Sequence, residues 1–186
     1  MASESLKKDT FHSLLWSSLE RFSVQGIQFL VMIIIARVLS PKDYGLVGML
    51  AIFLAISQSL IDGGFSQALI RKQDRTEMDN CTVFYFNIVV GFLLYAILFF
   101  IAPYVADFYN ENQLKTLLRA MGVIVIFNSL TVVQRAIFTI ELDFKTQAKA
   151  SLTSAIFTGV IGIYLVYHGF GVWTLAIQQI LSSLLN

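Results

Sequence analysis

Hydrophobic residues run through this chain in six long blocks, near residues 14–39, 44–70, 81–102, 114–140, 148–167 and 172–186, joined by short polar connections. The 27 residues from Asn80 to Ala106 contain no Asp, Glu, Lys or Arg, and the stretch from Ala150 to Asn186 contains none either. A helix needs roughly 20 residues to cross a hydrocarbon core of about 30 Å, and these blocks meet that length. Backbone amides in lipid must be bonded within a helix or a closed barrel. Barrel strands alternate polar and apolar side chains over about ten residues, and the run from Ile27 to Ala36 does not alternate. The pattern therefore predicts an all-α integral membrane protein, a six-helix bundle with five complete helices and a partial sixth. All 186 residues are expected to form one transmembrane domain. The last block reaches Asn186 without a polar flank, which predicts a truncated chain.

Connections carry helix breakers. Residues Ser40 to Gly45 predict a tight turn between helices 1 and 2, Pro103 is expected to stop helix 3, and Gly169 and Gly171 to separate helices 5 and 6. The aromatic-rich segment Tyr104–Gln113 is expected to lie in the membrane interface. Lys7 and Lys8 precede the first block as in a secretion signal, but the block runs on to Leu39 and lacks a small-residue cleavage site, so it reads as a retained membrane helix.

Composition agrees with lipid as the solvent. Hydrophobic residues make up 56% of the chain and charged residues 13%, about half the usual share of roughly 25% in soluble proteins. The net charge of +1 gives no basic field for nucleic acid. Cys81 is the single cysteine, so an intrachain disulfide is excluded. His12 and His168 are far apart and lack partners at ligand spacing, so neither a metal site nor a cofactor is expected. The chain has no P-loop, dinucleotide fingerprint, serine elbow or zinc-protease motif, so ATP hydrolysis within it is unsupported, and a transporter instead of an enzyme is expected.

Charge placement gives orientation, because Lys and Arg favour the cytoplasmic side. With the N-terminus inside, that side holds Lys7, Lys8, Arg21, Arg71, Lys72, Arg75, Arg135, Lys145 and Lys149. The outer side holds only Arg37, Lys42, Lys115 and Arg119.

Polar groups kept in membrane helices are the candidates for function. Helix 1 places Ser17, Arg21, Gln25 and Gln28 on one face, opposite Phe22, Phe29 and Ile33. Arg21 either reaches the headgroups or stands as a cation at the inner mouth of a cavity, where its guanidinium would suit phosphate. Gln58 and Asp62 follow at a four-residue step in helix 2. Asp62 lies roughly 27 Å from Tyr44 along the axis, near the depth of Arg21, and is either a structural partner or a carboxylate that titrates during transport. Asn128, Thr131 and Arg135 share a face of helix 4, with Arg135 a second cavity cation or an anchor. Ser154, Thr158 and Gly162 form a small-residue packing face on helix 5, and Thr174, Gln178 and Ser182 a polar face on helix 6.

Five local patterns occur in order: Ala36–Gly45 (ARVLSPKDYG), Asp62–Arg71 (DGGFSQALIR), Ala102–Tyr109 (APYVADFY), Asp143–Gln147 (DFKTQ) and Gly169–Leu175 (GFGVWTL). With them the chain resembles the N-terminal half of a bacterial polysaccharide flippase of the O-antigen and exopolysaccharide type, in the multidrug/oligosaccharidyl-lipid/polysaccharide exporter superfamily. The resemblance implies one half of a two-bundle transporter in the bacterial inner membrane. It would move an undecaprenyl-diphosphate-linked oligosaccharide between leaflets by alternating access, with the polysaccharide polymerase machinery as a candidate partner. It also implies a cationic cavity for the diphosphate. Arg21, Gln25, Gln28, Asn128 and Arg135 are the substrate-binding candidates here, and Asp62 the candidate for ion coupling. A multidrug or cation antiporter of the same superfamily, which would favour anionic cavity residues, and a membrane glycan polymerase or ligase, which would favour large outer loops, are the rival readings.

Overall fold

The structure, a computed structural model, describes residues 22–62, 77–140 and 144–185. All regular structure among them is helical: α1 (Phe22–Ala36), α2 (Pro41–Ile61), α3 (Glu77–Phe108), α4 (Gln113–Met121), α5 (Val123–Ile140), α6 (Phe144–Tyr167) and α7 (Val172–Leu185). α4 and α5 are separated only by Gly122, which keeps right-handed helical angles, φ −56° and ψ −25°. Gln113–Gln134 therefore acts as a single span, and it joins Pro41–Ile61, Cys81–Phe108 and Thr146–Tyr167 as segments long and apolar enough to cross a membrane. The molecule is a multi-pass, all-α membrane protein, as the hydrophobic blocks predict.

Several helix boundaries differ from the sequence expectation. α2 starts at Pro41 instead of residue 44. Ser40 caps it: its Oγ accepts from the Asp43 amide, the Asp43 carboxylate accepts from the Ser40 amide, and Pro41 fills the first turn, where no N–H is needed. The residues read as a turn thus begin the helix. α3 begins at Glu77 and runs through Pro103 to Phe108, so Pro103 does not stop it, and Tyr104–Phe108 is helical instead of a connecting segment. The stop comes at Asn110, whose φ of 53° is left-handed, with the Glu111 amide donating back to Ala106 carbonyl at 3.0 Å. That is a Schellman closure, and Asn tolerates the required angle better than most residues. α6 closes in the same way at Gly169 (φ 78°), with Phe170 amide bonded to Leu165 carbonyl.

The connections 37–40, 109–112 and 168–171 gather at one end of the bundle. There Lys42 Nζ lies 2.6 Å from Glu111 Oε1, and the Asp43 carboxylate approaches Gly171. The main core is shared by α2, α3, the α4–α5 span and α7. In α4, Leu114, Leu117, Leu118 and Met121 are fully buried at steps of three, one and three, one apolar stripe of a helix. Outward faces carry large apolar side chains such as Phe29, Ile52, Phe92 and Val160. So much exposed apolar surface suits acyl chains and would not suit water.

Glycines set the closest helix contacts. A Cβ added at Gly91 on α3 would come within 2.6 Å of Ser129 Cβ on α5, and one at Gly159 on α6 within 2.8 Å of Val31 Cγ2 on α1. In lipid, helices associate through such close packing, because apolar burial gives little preference over the surrounding tails.

Candidate functional site

Polar side chains from α2, α5 and α7 meet inside the bundle. Gln58 Nε2 donates to both oxygens of Asp62, at 3.0 and 3.1 Å. Gln58 Oε1 accepts from Asn128 Nδ2 at 2.5 Å, and Asn128 Oδ1 accepts from Ser183 Oγ at 2.6 Å. The orientation of this relay follows from its first member. The Asp62 oxygens accept here, so Gln58 presents its NH2 to Asp62 and its carbonyl to Asn128. Asn128 then has to present its NH2 to Gln58 and its carbonyl oxygen to the Ser183 hydroxyl. Each amide nitrogen keeps a second N–H that the relay does not use.

The relay borders a cavity of about 370 Å3 lined by Gln58, Asn128, Gln179, Ser182 and Ser183 with apolar Leu54, Ala55, Ile124 and Val125. On the other side of α7 lies a cavity of about 260 Å3, to which Gln28, Thr158 and Gln178 contribute. Gln179 and Ser182 line both. Packing shapes the second cavity. Gly162 leaves space for Gln178, whose Cδ would lie 3.1 Å from an added Cβ, and Gly159 lets α1 approach to form a wall. The small-residue face predicted on α6 is therefore a packing face, with Ser154 and Thr158 buried in it.

Of the predicted site residues, Asn128 and Gln28 line a cavity. Gln25 is exposed and outside both. Asp62 is exposed at the C-terminus of α2, outside the lining of either cavity, and is bonded to Gln58 of the first. Arg21 lies outside the described residues, as do Gly63, Gly64 and the side chain of Arg135. Thr131 donates to the Asn128 carbonyl at 3.2 Å instead of extending the relay. Sequence reasoning missed Gln179 and Ser183. The available signal was a pair of doublets, Gln178-Gln179 and Ser182-Ser183, four residues apart on one helix. Adjacent helical positions differ by about 100° in direction, so such doublets widen a polar stripe enough to serve two cavities.

Among the described residues no three His, Cys, Asp or Glu side chains come together as metal ligands. Arg119 is also accounted for by structure. Its guanidinium sits 4.0 Å from the Phe99 ring centroid, and its Nε donates to the Phe99 carbonyl.

Residues 34–186 match the family model for polysaccharide biosynthesis proteins. The chain is 28% identical over 174 residues to the succinoglycan biosynthesis transport protein ExoT of Rhizobium meliloti, covering 92% of this chain and 35% of that protein. It is 22% identical over 182 residues to the lipopolysaccharide biosynthesis protein WzxC of Escherichia coli, covering 98% of this chain and 36% of the relative. With the teichuronic acid biosynthesis protein TuaB of Bacillus subtilis it shares 26% identity over 150 residues, 81% of this chain and 31% of that one. The chain thus spans about a third of the length of the curated relatives it matches. No solved structure matches it. By the extent of the family match, set beside the helical membrane architecture, the chain belongs to the polysaccharide biosynthesis protein family.

Proposed function

We propose that this chain is the N-terminal bundle of a flippase that carries an undecaprenyl-diphosphate-linked oligosaccharide across the bacterial inner membrane, with its N-terminus in the cytoplasm. The observation that carries the reading is a hydrogen-bonded polar cavity between membrane helices of a chain in this family. A glycan headgroup cannot cross hydrocarbon alone, because burying its hydroxyls and charges without partners is too costly. A polar crevice open towards lipid supplies those partners while the polyprenyl tail stays in the bilayer. Bundles rocking about such a site would expose it to each side in turn. The relatives are about three times as long as the matched stretch, and further chain of that kind would form the facing wall.

Arg21 and Arg135 are proposed to attract the diphosphate at the inner side, and Asp62 to couple release to an ion. One relative, the succinoglycan biosynthesis transport protein, is named for transport, and that name supports transport over catalysis. The cavity walls described above carry amides and hydroxyls, which supports a glycan over the cationic ligand of an antiporter. The test is the leaflet accessibility of lipid-linked glycan in cells lacking the full-length protein. Accumulation in the inner leaflet is expected. Unchanged delivery to the outer leaflet overturns the proposal, and transport of a cationic dye by reconstituted protein favours the antiporter.

A further inference from the structure

The two cavities that share Gln179 and Ser182 of α7 have a chemical property in common. Side chains from five helices converge there, Gln28 from α1, Gln58 from α2, Asn128 from α5, Thr158 from α6 and Gln178 and Ser183 from α7, and every polar group that the described residues bring is an uncharged amide or hydroxyl. No Lys, Arg, Asp or Glu lines either cavity among the described residues. Phosphate sites are ordinarily built from cations or from convergent backbone N–H groups. Lys42, Glu111 and Lys115 lie instead towards the helix ends, Arg119 is held on Phe99, and Lys149 lines a separate cavity of about 540 Å3 with Thr146, Thr153 and Phe157.

Resting on the flippase reading, we infer that this pair of cavities recognises the uncharged sugar rings of the headgroup, and that the diphosphate is held outside it. Planar amides and hydroxyls offer donors and acceptors side by side, which matches the hydroxyls and ring oxygens of a sugar. The apolar residues Leu54, Ile124 and Val125 of the first cavity and Val31 of the second provide surface for the C–H faces of a ring. The volumes, about 370 and 260 Å3, are of the order of small-ligand pockets. Orientation is built in. Asp62 directs Gln58 and Asn128 so that each keeps an N–H to offer, while Asn128 Oδ1 is occupied by Ser183. The first cavity therefore favours acceptor oxygens at those two nitrogens. Because Gln179 and Ser182 line both cavities, consecutive rings of one glycan could lie along the same face of α7.

The test uses purified full-length protein in nanodiscs and two probes, undecaprenyl diphosphate and the same lipid carrying one N-acetylglucosamine. Asn128→Leu, in the first cavity, and Gln178→Leu, in the second, are compared with the parent, with the Tm of each preparation recorded. Loss of one net hydrogen bond should weaken binding of the sugar-bearing lipid roughly three- to tenfold in at least one variant. Binding of the bare diphosphate should change less than about twofold on the same scale. Equal losses for both probes, or no loss for either in both variants, overturn the inference while leaving the flippase reading in place. Failure of the parent to bind either probe overturns both. The two variants alter different helices, so a folding defect in one leaves the other to decide.

Discussion

Arg119 bonds to the backbone carbonyl of Phe99, at 3.3 Å, and stacks on the same residue's ring. That carbonyl lies four residues before Pro103, inside α3. In an unbroken helix it would accept from the amide of residue 103, and proline has none. A guanidinium from α4 takes the vacated place. Prolines are tolerated in membrane helices where a neighbouring group satisfies the freed carbonyl.

The pair is therefore coupled. Arg119→Leu should destabilise the parent by about 1 kcal/mol, the ordinary worth of a net hydrogen bond. In a Pro103→Ala background the helix regains its own amide donor, and Arg119→Leu should have a smaller effect. A double-mutant cycle on thermal unfolding in detergent measures the difference. Additive effects would separate Arg119 from Pro103.

Gly91 and Ser129 make a second coupled pair, because a methyl on one has no room beside the other. Gly91→Ala should cost about 1–3 kcal/mol through overpacking. Adding Ser129→Gly removes the obstructing Cβ and Oγ, and the next neighbour of the new methyl is then Val125 carbonyl oxygen at 3.6 Å, an ordinary contact. Recovery of Tm in the double variant is expected, and its absence would place the strain elsewhere.

At the gathered loop end two polar contacts differ in worth. The Lys42 side chain in the ion pair with Glu111 is 65% exposed, and exposed pairs contribute roughly 0–1 kcal/mol. Ser40 caps a membrane helix, and replacing such a cap by Ala costs about 1 kcal/mol. Ser40→Ala should thus lower Tm more than Lys42→Ala, and the difference should persist in high salt, which screens only the ion pair.

The proposed diphosphate cations give a functional comparison. Arg21→Ala and Arg135→Ala should reduce complementation of glycan export more than Arg75→Ala, at a position that the sequence puts in the polar stretch between the second and third hydrophobic blocks. Equal effects would make all three membrane-surface anchors.

The membrane helices were legible because lipid imposes a long uninterrupted apolar run, and that demand is local in sequence. Pro103 misled because its compensation comes from Arg119, sixteen positions further on and on another helix. The true stop at Asn110 was visible as a residue suited to a left-handed angle, but Pro103 precedes it and is the stronger breaker. The site divides in the same way. Gln58, Asn128 and Gln178 were each recognisable as polar residues on an apolar helix. Which of them touch depends on how the helices pack, as where Gly162 leaves room for Gln178, and no periodicity within one helix reports a contact between two.

Asp62 and Ser183 occupy opposite ends of the relay, and they should fail in different ways. Ser183 is buried and its hydroxyl satisfies Asn128 Oδ1. Ser183→Ala leaves that oxygen short of a donor, at about 1 kcal/mol, so Tm falls. The amides nonetheless keep their direction, because Asp62 still demands an N–H from Gln58. Asp62→Asn does the reverse. Asp62 is exposed, so little stability is lost, but an asparagine amide can donate as well as accept. Gln58 and Asn128 can then turn over together, and the cavity presents a mixture of faces. Asp62→Asn should impair glycan export more than Ser183→Ala while lowering Tm less. If export follows Tm across the two variants, Asp62 does not orient the site.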